Sequence, residues 1–527
     1  MQRLVLTSLV ALAVAGSFRL FAAAETVTVD GGQIAGVEVA GVHVFKGIPF
    51  AAPPVGDLRW KPPQPVVPWT GVRKADAFGP RCMQLPYPAE SPFLTDAEPM
   101  NEDCLYLNVW TAARTKEKRP VMVWIYGGNW SRGSASQARG GVFAYDGAAL
   151  AKRGVVVVTA NYRLGPLGFL AHPELTAEAP HHSSGNYAIL DHIAALRWVQ
   201  KNIVAFGGNP ANVTIFGESA GSFSANVLQA TPLAKGLFHK VIGESGAAFI
   251  PTGTLRPVFD PTRTLRQAEQ SGVELARAVG ANSLKELRSV PAEKLVAVVS
   301  FPSRPHVDGW VLPADVRTIF ARKNHSHVPA LVGSNGNEWT VVSNPATFPK
   351  TLEEFRKRIE TQFPGRAAEF DIVYPVRGEA DIAEAMLALG RDDFFTLQMR
   401  TWARMVTAGG QKSFLYQFTH VPPSPNAKAW GAYHASEIPY VFGNLQNRTF
   451  KYTDTDRSLS EVMSSYWVNF AKIGDPNGKG LPTWTAYDTD GEPYLDLGDQ
   501  VELKHHLLKA QLDFLERAQQ SPPSAVR

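Results

Sequence analysis

Short apolar runs recur along the chain, each too short for a helix and each bounded by glycine or polar residues. They are VMVWIY (Val121 to Tyr126), GVVVVTA (Gly154 to Ala160), VTIF (Val213 to Phe216), KVIGES (Lys240 to Ser245), ALVGSN (Ala330 to Asn335) and SFLYQF (Ser413 to Phe418). Runs without alternation predict strands buried on both faces. Helical patterns lie between them: Ile189, Ile193, Leu196, Val199 and Ile203 fall on one helix face. Strands alternating with helices predict an α/β fold, a largely parallel sheet covered on both sides. From about 261 to 403 helical patterns dominate around the ALVGSN strand, which predicts a helical subdomain packed over the sheet.

The ends of the chain read differently. Residues 26–51 alternate β-branched positions with glycine breaks, which predicts a small N-terminal antiparallel sheet. The proline-rich stretch after it, PFAAPPVGDLRWKPPQPVVPW, predicts an ordered surface coil. Leu508, Leu512 and Leu515 predict a last helix, with His505 and His506 on it, and the tail QQSPPSAVR is expected to fray. At the other end, Arg3, the apolar run Leu4 to Phe18 and the pattern Ala22-x-Ala24 predict a signal peptide, residues 1–24, cleaved after Ala24. That run is too short to span a bilayer comfortably, so a secreted or periplasmic protein without stable membrane insertion is expected. Residues 25–527 read as one domain.

Composition adds little, charge somewhat more. Of 527 residues 45% are hydrophobic and 19% charged, an ordinary globular balance. Net charge is +4, and losing Arg3 and Arg19 with the leader leaves +2, which argues against a nucleic-acid partner. The two cysteines, Cys82 and Cys104, predict one disulfide in an exported chain.

Candidate chemistry centres on FGESAG. An apolar strand runs into Gly217-Glu218-Ser219-Ala220-Gly221, and a helix can start directly after it, the context of a nucleophile elbow. A serine hydroxyl needs a base, usually a histidine oriented by a carboxylate. Among thirteen histidines, His181 and His182 read as solvated loop residues, and His434 is flanked by small residues in WGAYHASEIPYVFG. An oxyanion hole needs inward N–H groups. The paired glycines of WIYGGNW let Gly128 and Asn129 supply two, and Ala220 follows the serine with a third. No acid–histidine spacing suggests a metal, and no cofactor is implied.

These segments, with FKGIPFAAPPVGDLRW, NEDCLYLNVW, NYRLGPLGF, GNYAILDHIAALRWVQKNI, GSNGNEW and GAYHASEIPYVFG, resemble the type-B carboxylesterase and cholinesterase family of α/β-hydrolases across nearly the whole mature chain. The resemblance implies Ser219 as nucleophile, Glu338 as the acid and His434 as the base of an ester hydrolase with a small-molecule ester substrate. It implies the Cys82–Cys104 disulfide and structural ion pairs Arg59–Glu102 and Arg163–Asp191. Asn129 departs from the family's usual Gly or Ala; the sequon Asn129-Trp130-Ser131 reads as accidental, since a glycan there would block the site. Trp130, Arg132, Glu218, Phe301 and Arg304 are the candidate substrate contacts, the two arginines pointing to esters of polycarboxylic acids. A non-catalytic adhesion module of the same fold and an acyltransferase using the same triad are the alternatives. Activity is expected to rise through an apparent pKa of roughly 6 to 7, that of His434. Sequence leaves the natural ester and the oligomeric state open.

Overall fold

The computed structural model describes residues 22–114, 116–249, 260–446 and 449–520. The expected leader lies outside them except for its last three residues, and the tail after Gln520 lies outside them too. The strands are β1 (Ala22–Val29), β2 (Gly32–Val39), β3 (Val42–Pro49), β4 (Val72–Lys74), β5 (Tyr106–Thr111), β6 (Arg119–Ile125), β7 (Ala138–Arg139), β8 (Val142–Phe143), β9 (Val156–Ala160), β10 (Gly208–Glu218), β11 (Lys240–Glu244), β12 (Ala330–Asn335), β13 (Ser413–Phe418), β14 (Pro493–Leu497) and β15 (Val501–His505). The helices that matter for the site and its support are α1 (Tyr187–Asn202), α2 (Ala220–Ala230), α3 (Leu397–Ala408), α4 (Asp454–Ile473) and α5 (Lys509–Gln520).

Thirteen strands form one sheet in the order β1-β2-β3-β5-β9-β6-β10-β11-β12-β13-β14-β15, with β4 beside β2 and the hairpin β7–β8 separate. From β9 to β14 every neighbouring pair is parallel. Strands β1, β2, β3 and β5 pair antiparallel, β4 lies parallel beside β2, and the last pair, β14 with β15, is antiparallel. All residues of β9, β11, β12 and β13 are buried, which is why these strands read as unbroken runs. Strand β5 reads less clearly because Asn108 interrupts it; its amide donates to Thr159 Oγ1 in β9 at 2.9 Å, a buried polar pair inside an apolar sheet.

Helix α1 buries far more than the predicted face, Asp191 and His192 included. Asp191 is fully buried because Arg163 meets it with two nitrogens, Nη2 at 2.7 Å and Nε at 2.9 Å, and with its own backbone N–H at 2.9 Å. The second expected pair also forms, Arg59 Nε donating to Glu102 Oε2 at 2.8 Å. Cys82 and Cys104 are joined, closing a loop with a sequence separation of 22. A second, smaller core gathers Phe355, Phe363 and Phe370 with Leu512, Phe514 and Leu515 of α5, so the end of the chain roofs the helical region. His505 ends strand β15 and His506 follows it at φ 60°, so neither lies on the last helix.

Candidate active site

Strand β10 ends at Glu218 and α2 begins at Ala220, which leaves Ser219 as the turn between them. Its backbone sits at φ 54° and ψ −124°, a conformation side-chain-bearing residues rarely adopt. The flanking glycines make this possible. A Cβ on Gly221 would stand 1.9 Å from the Ile125 carbonyl oxygen, and one on Gly217 would stand 2.6 Å from the same atom. The end of β6 therefore packs directly onto the turn. Ser219 N–H donates to Glu244 O at 2.8 Å and pins the turn to β11.

Glu338 follows β12, and one of its oxygens accepts from Asn335 N–H at 2.7 Å. His434 lies in the loop after β13, and its Nδ1 is 2.5 Å from the other oxygen, Glu338 Oε2. Asn337 staples the two loops: its N–H donates to Ala432 O at 2.9 Å and its side-chain oxygen accepts from Ala432 N–H at 3.0 Å. The imidazole rests against Phe395, 4.8 Å between centroids. Its Nε2 lies 3.1 Å from Glu218 Oε1, and among the described residues no hydrogen bond joins it to Ser219 Oγ.

Three buried carboxylates act on this histidine, Glu218, Glu338 and Glu437, and a fourth, Glu244, lies in the field of Glu437 and Glu218. Burial pushes Glu218 and Glu244 well above the ordinary carboxylate range, and burial with the Glu338 charge lifts Glu437 to about 7. Burial alone would lower His434, but Glu218 and Glu338 outweigh it and raise the imidazole to about 9. That lies above the range of 6 to 7 expected from sequence, because sequence does not place a second carboxylate on Nε2.

After β6 the chain turns through Gly128 at φ 101°, Asn129 at φ 53° and Trp130 at φ 51°. Asparagine is among the residues that tolerate this region best. Among the described residues the N–H groups of Gly128 and Asn129 make no hydrogen bond, and Ala220, first in α2, has no acceptor within its helix. Ser219, Gly128, Asn129, Glu218 and His434 line one cavity of about 300 Å³. The disulfide loop contributes Tyr87 and Phe93 to its wall, and the β7–β8 hairpin contributes Arg139. Arg132 lines it as expected.

Three candidate contacts are placed elsewhere. The Trp130 indole is buried between Phe169 and Phe223 and donates to Ser224 Oγ at 2.8 Å, so it supports the loop from below. Phe301 lines a separate cavity of about 80 Å³ beside Arg132. Arg304 lines neither cavity; its segment is held back by Arg263, which donates to Pro302 O at 3.2 Å, and its charge lies in the field of Asp260. Sequence reasoning missed Tyr87, Arg139, Tyr433 and Tyr452 as lining residues. Tyr433 alone carried a signal, its position next to His434. Among the described residues no three His, Cys, Asp or Glu side chains are grouped to hold a metal ion, and no helix is long and apolar enough to cross a membrane.

A sequence profile described as "Carboxylesterase family" matches residues 23–515. The chain is 37% identical over 486 residues to the fumonisin B1 esterase of Sphingopyxis macrogoltabida, covering 89% of this chain and 86% of that protein. It is 36% identical over 516 residues to the cocaine esterase of Homo sapiens, covering 91% and 88%. A solved structure titled PNB esterase superposes with a TM-score of 0.78 at 33% identity, covering 93% of this chain and 99% of that one.

Proposed function

The chain belongs to the carboxylesterase family, and from that membership we propose that this carboxylic ester hydrolase works through Ser219, His434 and Glu338. The α/β-hydrolase fold puts all three beyond the C-terminal ends of parallel strands, on the turns after β10, β12 and β13. The observation that carries the reading is the pairing of His434 Nδ1 with buried Glu338 at 2.5 Å, on the rim of the cavity that Ser219 lines.

In the first step Ser219 Oγ attacks the ester carbonyl carbon as His434 Nε2 takes its proton. The carbonyl oxygen becomes an oxyanion within reach of the Gly128, Asn129 and Ala220 N–H groups. Collapse of the tetrahedral intermediate breaks the ester C–O bond, and His434 returns the proton to the leaving alcohol. Water then attacks the acyl-serine by the same path, releasing the acid. Glu338 fixes the tautomer with the proton on Nδ1 and stabilises the imidazolium. The serine–histidine hydrogen bond forms when substrate is bound, as such contacts often tighten only in the complex.

Ser219→Ala is expected to keep its fold by circular dichroism and lose at least about 10³-fold in kcat. Retained activity above about 1% overturns the assignment of the nucleophile. A fluorophosphonate reagent should label the parent chain and not the variant. We extend the proposal to export, on the leader pattern and the Cys82–Cys104 bridge. N-terminal sequencing of exported protein should begin at Glu25.

A further inference from the structure

Two arginines enter the Ser219 cavity, and neither meets a carboxylate. Arg132 Nε donates to Pro86 O at 3.2 Å, and Arg139 Nη1 donates to Pro92 O at 2.6 Å. Both acceptors are neutral backbone oxygens of the Cys82–Cys104 loop, Pro86 next to Tyr87 and Pro92 next to Phe93, the two rings that the loop presents to the cavity. Among the described residues neither guanidinium forms an ion pair. The acids in the neighbourhood are already engaged. Asp96 accepts from the Gly140 and Gly141 N–H groups, and Glu98 accepts from the Ser134 and Ser136 hydroxyls.

Among the described residues lining the cavity Glu218 is the sole carboxylate, and it faces His434 Nε2. The cavity thus carries two positive charges on its wall and little to balance them. Each guanidinium is hydrogen-bonded through one nitrogen, which leaves its other N–H groups for a ligand. Two phenols add neutral donors. Burial raises Tyr87 to about 12, opposed by Arg132, and raises Tyr433 to about 12, opposed by Arg139. The Arg132 guanidinium lies 5.6 Å from the centroid of the Tyr87 ring, whose hydroxyl stands 2.9 Å from where a Cβ on Gly128 would be.

We infer that Arg132 and Arg139 form a carboxylate clamp and that the preferred substrates are esters bearing a free carboxylate, an assignment that rests on the ester-hydrolase reading of the site. The clamp replaces the pair Arg132 and Arg304 expected from sequence. It acts by binding: a carboxylate bridging two anchored guanidinium groups holds the ester where Ser219 can reach its carbonyl.

The test compares two matched pairs of esters. On the acid side, mono-4-nitrophenyl glutarate is set against 4-nitrophenyl valerate. On the alcohol side, 4-acetoxybenzoate is set against 4-acetoxybenzamide. The parent enzyme should favour the anionic member of one pair by about ten- to a hundredfold in kcat/KM, as charged hydrogen bonds allow. That preference should shrink as salt is added. Arg132→Gln and Arg139→Gln should each reduce the anionic-to-neutral ratio by about tenfold, whereas Arg304→Gln should leave the ratio as it is. The ratio is internal to each protein, so a variant that folds poorly does not mimic the effect. Equal rates on both members of both pairs overturn the clamp and leave the hydrolase standing. No turnover of any of the four esters overturns the function and the clamp together.

Discussion

His434 lies between two carboxylates, Glu338 on Nδ1 and Glu218 on Nε2, and in its proposed role as base this sets the pH at which it works. To accept the Ser219 proton the imidazole must be neutral in the free enzyme. Its pKa is raised to about 9, burial opposing and Glu218 and Glu338 winning. A raised pKa means the neutral form is scarce at neutral pH and gains as pH rises. The kcat/KM for a neutral ester should therefore climb through the region above pH 7. Glu218→Gln removes one of the two charges, so the midpoint should move down toward the unperturbed imidazole value of about 6.5. A pH–rate profile of parent and variant checks this; an unmoved midpoint would mean Glu218 carries no charge in the working enzyme. At this scale the sequence located more than it explained. GESAG, NGNEW and AYHAS carried Ser219, Glu338 and His434 to one place, because short motifs encode local turns. Arg139 and Tyr87 reach the cavity through tertiary packing alone, so no local pattern announces them. Trp130 turns downward because two consecutive left-handed residues redirect the chain, a feature that composition does not display.

At the scale of elements, the elbow depends on how closely β6 approaches α2. Gly221→Ala would set a methyl carbon 1.9 Å from a carbonyl oxygen of β6. Neither backbone can yield without disturbing the sheet, so a loss of at least about 3 kcal/mol is expected, the upper end for overpacking. Gly378→Ala is the control, since a Cβ there meets nothing within 4 Å. Thermal unfolding of the two variants should separate them clearly, and equal melting temperatures would show that the elbow can relax. The disulfide loop has a different role. It supplies Tyr87 and Phe93 to the cavity, and it meets the Ser219–His434–Glu338 arrangement through the edge of Phe93, 6.2 Å between centroids from His434. Reducing Cys82–Cys104 should raise KM with a smaller change in kcat, and should destabilise the fold by about 3 kcal/mol on chain-entropy grounds. Steady-state kinetics with and without reductant check the split. The buried strands were the elements best read from sequence, β12 and β13 to the residue. Strand β15 was missed because edge strands lack the apolar run; its Glu502 and Lys504 face solvent.

For the whole molecule, the second core ties the helical region to the last helix. The helical region from Leu352 to Leu397 buries its aromatic side chains against Leu512, Phe514 and Leu515 of the last helix. Each of these three contributes about 1.5 to 3 kcal/mol when fully buried. A chain ending at Leu508 should thus lose more than about 4 kcal/mol and expose Phe363 and Phe370. Chemical denaturation of the truncated protein measures this; an unchanged midpoint would make α5 dispensable. Sequence showed the last helix through Leu512 and Leu515, whereas Leu508, expected on it, precedes α5 at φ 44°; it could not show what these leucines cover, since the aromatic partners Phe355, Phe363 and Phe370 lie more than a hundred residues upstream.

The order of strands also shapes how the molecule is made. From β10 to β15 each strand docks beside the one synthesised just before it, so a chain emerging from the ribosome extends the sheet at one edge. Until the end that edge is an apolar strand with open hydrogen-bonding groups, the kind that pairs with other chains. Only β15, short, charged and largely exposed, closes it. Ser219 emerges early and His434 late. A nascent chain stopped between them carries the proposed nucleophile without its proposed base and the sticky edge without its cap. Premature termination should therefore yield fragments that are at once inert and prone to aggregate, and the last thirty or so residues protect a molecule whose chemistry is already complete.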